Sequence, residues 1–174
     1  MKKIIIISAT KNSNFTLSEK INLFFESKNL YDSNVVSLED YNLPLYTPTL
    51  EETFQKSNSF PDEIEIIKEL LLDSDAMVWC SPEYNGGISP IVTNSIAWIS
   101  RATTNWKDAF LEKKTLVCTS SGGNGQNFID GFKMQLKYLG ADVIDDSFVQ
   151  TKKTGFDYNL LEHTLNIFHE SVTN

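Results

Sequence analysis

Three short stretches of this chain concentrate small, hydrogen-bonding residues of the kind that grip a ligand with main chain. The first is Ala9-Thr10-Lys11-Asn12-Ser13-Asn14, which leads out of an apolar β-branched run into a helical pattern. Such a junction offers free N–H groups and the positive end of a helix dipole, and so favours an anion such as a phosphate. Thr10, Ser13, Asn14 and Thr16 add side-chain donors, and Lys11 adds a charge. Ser, Thr and Asn are equally the preferred helix caps, so plain capping uses the same groups. The stretch has neither the Gly-Lys-Ser/Thr of a Walker loop nor the Gly-x-Gly-x-x-Gly of a dinucleotide site. The second is Ser81-Pro82-Glu83-Tyr84-Asn85-Gly86-Gly87. Pro82 fixes φ, and the glycines permit conformations closed to other residues. A flat polar ring can lie against that backbone, with Tyr84 and Asn85 flanking it. The alternative is an ordinary turn, since Asn-Gly is a common turn dipeptide. The third is Ser120-Ser121-Gly122-Gly123-Asn124-Gly125, where main chain can approach a ligand closely, or simply turn tightly from strand to helix.

The elements around these stretches alternate. Lys3 to Ser8 reads as a strand covered on both faces. Leu17, Ile21, Phe24 and Phe25 recur at helical spacing and predict a helix over Phe15 to Ser27. Asn34 to Leu38 is a second strand. Glu39 to Ser59 carries Pro44 and Pro48 with no clean period and reads as a long loop, a feature usually functional or mobile. Pro61 opens a helix marked by Ile64, Ile67, Leu70 and Leu71. Asp75 to Ser81 is a third strand, and Pro82 to Gly87 a loop. Pro90 to Ser100 is a helix with Ile91, Asn94, Ser95 and Trp98 within reach of one face. Lys114 to Thr119 is a fourth strand, Ser120 to Gly125 a loop, and Phe128 to Leu139 a helix closed by Gly140. Val143 to Val149 is a fifth strand, and Asn159 to Val172 a closing helix.

Five strands alternating with helices imply a parallel sheet with helices on both faces. The strand order 2-1-3-4-5 is the flavodoxin-like option, and periodicity alone does not choose it over the Rossmann order. In either, ligands bind at the carboxyl ends of the strands near the switch point, and that rule selects the three stretches above. The length of 174 residues suits one domain, spanning 1–174.

Composition removes other chemistries. The net charge of −8 disfavours nucleic acid and anionic membranes, but not a phosphate site built from backbone N–H groups. No stretch approaches the roughly 20 apolar residues of a membrane span. The run Ile4 to Ile7 after Met1-Lys2-Lys3 is too short for a secretory signal, so a cytoplasmic location is expected. Cys80 and Cys118 sit in apolar runs and read as small buried hydrophobes rather than a disulfide or redox pair. His163 and His169 lie on the last helix, away from the three loops, and read as surface positions. No Cys/His cluster has metal-ligand spacing. Asp73, Asp75, Asp145 and Asp146 read as solvated or capping acids. Ser120-Ser121 lacks a hydrolase elbow.

With the loops placed, the sequence resembles the NADPH-dependent FMN reductase family of flavodoxin-like proteins, which includes quinone, chromate and azo-dye reductases. The strongest stretch is Asp75-Ala76-Met77-Val78-Trp79-Cys80-Ser81-Pro82-Glu83-Tyr84-Asn85-Gly86-Gly87-Ile88-Ser89-Pro90, continued by Asn94 to Arg101. It is similar to the family's Pro-Glu-Tyr-Asn-Gly loop and following Trp-containing helix. Leu43-Pro44-Leu45-Tyr46 and Ser120 to Gly125 are similar to the segments after strands two and four. The resemblance runs from about Lys3 to Val149. It implies that FMN phosphate sits at Thr10, Lys11, Ser13 and Asn14. It implies that the isoalloxazine edge meets Pro82, Glu83, Tyr84, Asn85 and Gly86, with Ser121, Gly122 and Gly123 around the ring. Hydride would arrive from NAD(P)H and leave to a small-molecule acceptor, a flavin or quinone, in a ping-pong cycle. The cofactor carries that chemistry, so no side-chain acid or base and no metal is required. Family members are commonly homodimers or homotetramers with the flavin near an interface.

The first loop departs from the family's usual Gly-Ser-x-Arg followed by Ser and Asn. Ala9-Thr10 stand in its place, Lys11 is the sole cation, and Ser13-Asn14 keep the end of the motif. Lysine acts as a point charge and cannot fork two bonds as arginine does, which bears on FMN affinity rather than FMN identity. Gly87 replaces the usual Ser. This departure motivates an alternative from another class, a flavin-binding electron carrier or redox sensor with no NAD(P)H turnover of its own. A flavodoxin-like scaffold that has lost its ligand is a third, since fold does not fix function.

Overall fold

A computed structural model describes residues 1–29 and 31–173. Strand β1 (Lys2–Ser8) buries its isoleucine run completely, because it lies inside a sheet with neighbours on both edges. The other sheet strands are β2 (Tyr31–Ser37), β3 (Ala76–Cys80), β6 (Lys114–Ser121) and β7 (Asp142–Thr151), all parallel, in the order β2-β1-β3-β6-β7. Counted by sheet strands alone, this is the expected order 2-1-3-4-5. Ile6 stands level with Val35 on one side and Val78 on the other.

Alternation along each strand splits the apolar residues between two layers. Ile5, Ile7, Met77, Trp79 and Val117 face helices α3 (Asp62–Leu72), α4 (Pro90–Ala102) and α5 (Gln126–Tyr138), meeting Ile67, Ile96 and Phe132. Ile4, Ile6, Val78, Leu116 and Cys118 face α1 (Ser13–Lys28) and α6 (Tyr158–Thr173), meeting Ile21, Phe25, Leu165 and Phe168. Gly140 ends α5 with φ of 88°, and Ala141 N–H reaches back to Leu136 O at 3.0 Å, the closure its position after the apolar face predicts.

Three expectations need correction. Glu39 to Ser59 is not a loop throughout. It begins within a 3₁₀ turn (Leu38–Asp40) and holds α2 (Pro48–Ser57), which Thr47 caps by accepting the Leu50 N–H at 3.2 Å. Helix α2 buries no residue fully, so its apolar stripe is too thin to show a period in sequence. The segment before it is pinned to α4: Asn94 accepts from Tyr46 N–H and donates to Pro44 O, and Trp98 Nε1 donates to the same carbonyl at 2.6 Å. Pro82 to Gly87 is likewise not wholly loop, since β4 (Glu83–Tyr84) and β5 (Gly87–Ile88) form a small antiparallel hairpin. His169 is half-buried rather than on the surface, its Nδ1 sharing a 2.5 Å hydrogen bond with Tyr31 OH, whereas His163 is exposed. Among the described residues no helix is long and apolar enough to cross a membrane.

Cys80 and Cys118 are buried, unbridged and level with one another on β3 and β6. Burial, reinforced by Cys80, pushes the Cys118 thiol well above its ordinary value, which suppresses the reactive thiolate. Because both thiols are shut off from solvent, they should ignore a water-soluble aromatic disulfide reagent in the native protein and react together on unfolding. Rapid native reaction would show that β3 and β6 open where the structure has them closed.

Candidate functional site

The carboxyl ends of β1, β3 and β6 are adjacent, so the loops after them share one rim. Ala9 N–H donates to Cys80 O at 2.8 Å and Ser81 N–H to Cys118 O at 3.2 Å, extending the ladders into the loops. In the first loop, Ser8 Oγ donates to Thr10 O and Thr10 Oγ1 to Asn12 Oδ1, both at 2.7 Å. Helix α1 then starts with no side-chain cap, although Asn12, Ser13 and Asn14 stand at its entrance. The first intrahelical donors are Phe15 and Thr16, both to Asn12 O. The N–H groups of Asn12, Ser13 and Asn14 precede them, as the unpaired donors of a helix start. Side-chain capping is thus not how Asn12 is used, and the donors at the start of α1 are left without an intrahelical partner.

The Asn14 side chain is fully buried and faces the third loop. It donates to Ser120 O at 2.9 Å and accepts from Ser120 N–H at 2.8 Å. Its amide is committed to joining two loops. Lys11 is also engaged. Its N–H donates to Glu39 Oε2 at 2.7 Å, and its ammonium pairs with Asp40, which holds the Lys11 pKa above its ordinary value.

In the second loop, Asn85 (φ 51°) and Gly86 (φ 71°) make the hairpin turn between β4 and β5, a geometry needing left-handed backbone at both places. Glu83 does not reach outward. Its Oε2 accepts the Phe128 N–H at 3.2 Å, inside the first turn of α5, where a carboxylate also meets the helix dipole favourably. Ser81 Oγ, fully buried, shares a 3.0 Å bond with Ser89 Oγ and ties the two ends of the loop together. Tyr84, Asn85 and Gly86 are exposed at the rim, and Pro82 is buried behind them.

The third loop separates two uses of glycine. Gly125 has φ of 72°, and a Cβ there would meet Thr119 Cγ2 at 2.7 Å, so the turn into α5 requires it. Gly122 and Gly123 have no such need. Their nearest neighbours to a Cβ would be Lys152 Cε at 4.0 Å and Glu83 Oε1 at 3.8 Å, which is ordinary contact. The chain's own packing would accept side chains at both positions, and their absence leaves open space at the rim. Ser120 and Ser121 belong to β6 rather than to the loop, and Ser121 Oγ accepts from Gly123 N–H at 3.3 Å.

The residues anticipated from sequence, from Thr10 to Asn14, Pro82 to Gly86 and Ser121 to Gly123, therefore lie on one rim. Asn14 and Glu83 hold loops together there through their side chains. The pairing of β1 with β3 and of β3 with β6 is what puts those residues side by side. Sequence reasoning missed Glu39 and Asp40, although an acidic pair directly after β2 lies at the same edge by the switch-point rule. It also missed the Thr151–Thr154 turn after β7, which with Gly122, Gly123, Asn124, Val149 and Lys153 lines a cavity of about 540 Å³. No group of three His, Cys, Asp or Glu among the described residues is placed to hold a metal ion.

Residues 1–155 match the family described as NADPH-dependent FMN reductase. The chain belongs to that family. It is thus an NAD(P)H-dependent oxidoreductase, with FMN as its flavin and NAD(P)H as its reductant. A similar sequence is the uncharacterised MG342 homologue of Mycoplasma pneumoniae, 24% identical over 159 residues, covering 89% of this chain and 90% of that one. An NADPH:quinone oxidoreductase of Arabidopsis thaliana is 27% identical over 78 residues, a match covering 45% of this chain and 38% of that enzyme. The chain therefore matches well under half the length of that plant relative. In fold, the chain is similar to FerB, the NAD(P)H:(acceptor) oxidoreductase of Paracoccus denitrificans, with a TM-score of 0.76 at 16% identity, covering 99% of this chain and 96% of the other.

The Asn14–Ser120 pair makes a direct test. Asn14→Ala leaves a buried N–H and C=O without partners, and is expected to cost about 2–4 kcal/mol of stability in denaturant unfolding. A loss below about 0.5 kcal/mol would show that the two loops are joined by something else.

Proposed function

We propose that the three loops grip FMN between them and that the chain passes hydride from NAD(P)H to a small acceptor, a flavin or a quinone, in a ping-pong cycle. The observation that carries this reading is the pairing of an uncapped α1 start with glycines at 122 and 123 that the chain's own packing does not require. The first fits a phosphate and the second fits a flat ring approaching main chain.

On this reading the N–H groups of Asn12, Ser13 and Asn14 hold the phosphate, with the Ser13 hydroxyl beside them, while Thr10 and Lys11 border the site with their hydroxyl and N–H donated to Asn12 and Glu39. Pro82 to Gly86 line the ring edge, and Tyr84 shields it from the rim. Ser121, Gly122 and Gly123 border the ring and leave room for a second planar molecule. Asn14 and Glu83 position these loops through Ser120 and Phe128. FMN, when bound, supplies the hydride acceptor and donor, so the chain contributes position and exclusion of water rather than an acid or base.

The acceptor class is supported by the family and by the quinone activity named for the plant relative. One domain over 1–174, a homodimer or homotetramer and a cytoplasmic location complete the proposal, and the acidic charge of −8 argues against a nucleic-acid partner.

The visible spectrum of the purified protein, reconstituted with FMN and then given NAD(P)H without oxygen, tests the reading. Bound flavin should bleach with NAD(P)H and recover on adding a quinone. Bound flavin that only a separate reductase can bleach would favour an electron carrier, and failure to bind FMN would overturn the proposal.

A further inference from the structure

The first loop already holds an anion of its own. The 3₁₀ turn Leu38–Asp40 follows β2 and lies beside the end of β1. Leu38 anchors it by complete burial, Ser37 Oγ accepts from Glu39 N–H at 3.3 Å, and Tyr41 N–H closes it onto Leu38 O at 3.3 Å. From this turn Glu39 takes the Lys11 N–H at 2.7 Å, and Asp40 takes the Lys11 ammonium. One main-chain donor and the loop's only cation are thus engaged by carboxylates.

We propose that Glu39 and Asp40 are specificity-determining residues that make the chain discriminate little between FMN and unphosphorylated riboflavin, because their carboxylates hold the donor and cation that a phosphate would use. The inference rests on the reading that flavin binds at this rim. A phosphomonoester carries about −1.5 to −2 charge at neutral pH. To settle here it must displace Glu39 or accept its repulsion, and it finds the Lys11 charge already neutralised by Asp40. The neutral hydroxyl at the same end of riboflavin meets neither cost. Both acids are exposed, and exposed ion pairs are weak, so the effect is a reduced preference and not exclusion of FMN. The Ser13 hydroxyl and the N–H groups of Asn12 to Asn14 remain for either flavin.

Titration of FMN and of riboflavin, followed by quenching of flavin fluorescence, tests this in the wild type, Glu39→Gln, Asp40→Asn and the double variant Asp40→Asn/Lys11→Gln. Each single variant should tighten FMN about three- to fivefold while riboflavin stays within about 1.5-fold. The double variant should lose the gain made by Asp40→Asn, and raising salt should shrink every gain. If FMN and riboflavin move together, or FMN does not move while both still bind, the inference is overturned and the FMN reading stands. If neither flavin binds any of the proteins, the FMN reading itself fails and takes the inference with it.

Discussion

Asn14 and Ser120 lie 106 residues apart, yet the fully buried Asn14 amide makes both hydrogen bonds that the Ser120 backbone can offer. That bond pair fixes the entrance of α1 against the end of β6. The rest of the rim follows from it. Once α1 is held there, its unpaired N–H groups aim over the carboxyl edge of the sheet, and the loop after β6 is held in line with them. A buried pair left half-made costs more than it contributes when whole, so the rim is fixed by a penalty against opening. Glu83 repeats the device between the second loop and α5.

Rigidity of that kind suits a cofactor that does the chemistry itself. Main-chain donors cannot rotate away, and glycines without side chains cannot close over the space they leave. The site is therefore shaped by backbone, and the side chains nearest it are mostly engaged in holding loops to one another. The acids at Glu39 and Asp40 are the exception, since they put charge where a ligand's charge would go.

Much of this was legible in the sequence. The β-branched run at Ile4 to Ile7 announced a central strand, and the alternation of elements announced the layered sheet, because burial on both faces leaves no polar position to blur the pattern. The three loops were legible because their residue types are chosen for backbone geometry. Helix α2 was not, since a helix that lies on the surface with half-buried Leu50 and Phe54 needs no strong apolar stripe. The commitments of Asn14, Glu83 and Lys11 were also hidden. Each depends on a partner far away in sequence, and residue type alone does not tell a ligand's donor from a loop's fastening.

The central claim is that backbone at one rim of the sheet holds FMN. A crystal structure of the protein grown with FMN tests it most directly. The account requires the phosphate at the N–H groups of Asn12 to Asn14 and the ring beside Pro82 to Gly86 and Gly122-Gly123. Flavin density confined to another place, such as the hollow near the amino ends of the strands lined by Lys3, Asp32 and Asp73, or a rim left empty at saturating FMN, would contradict it.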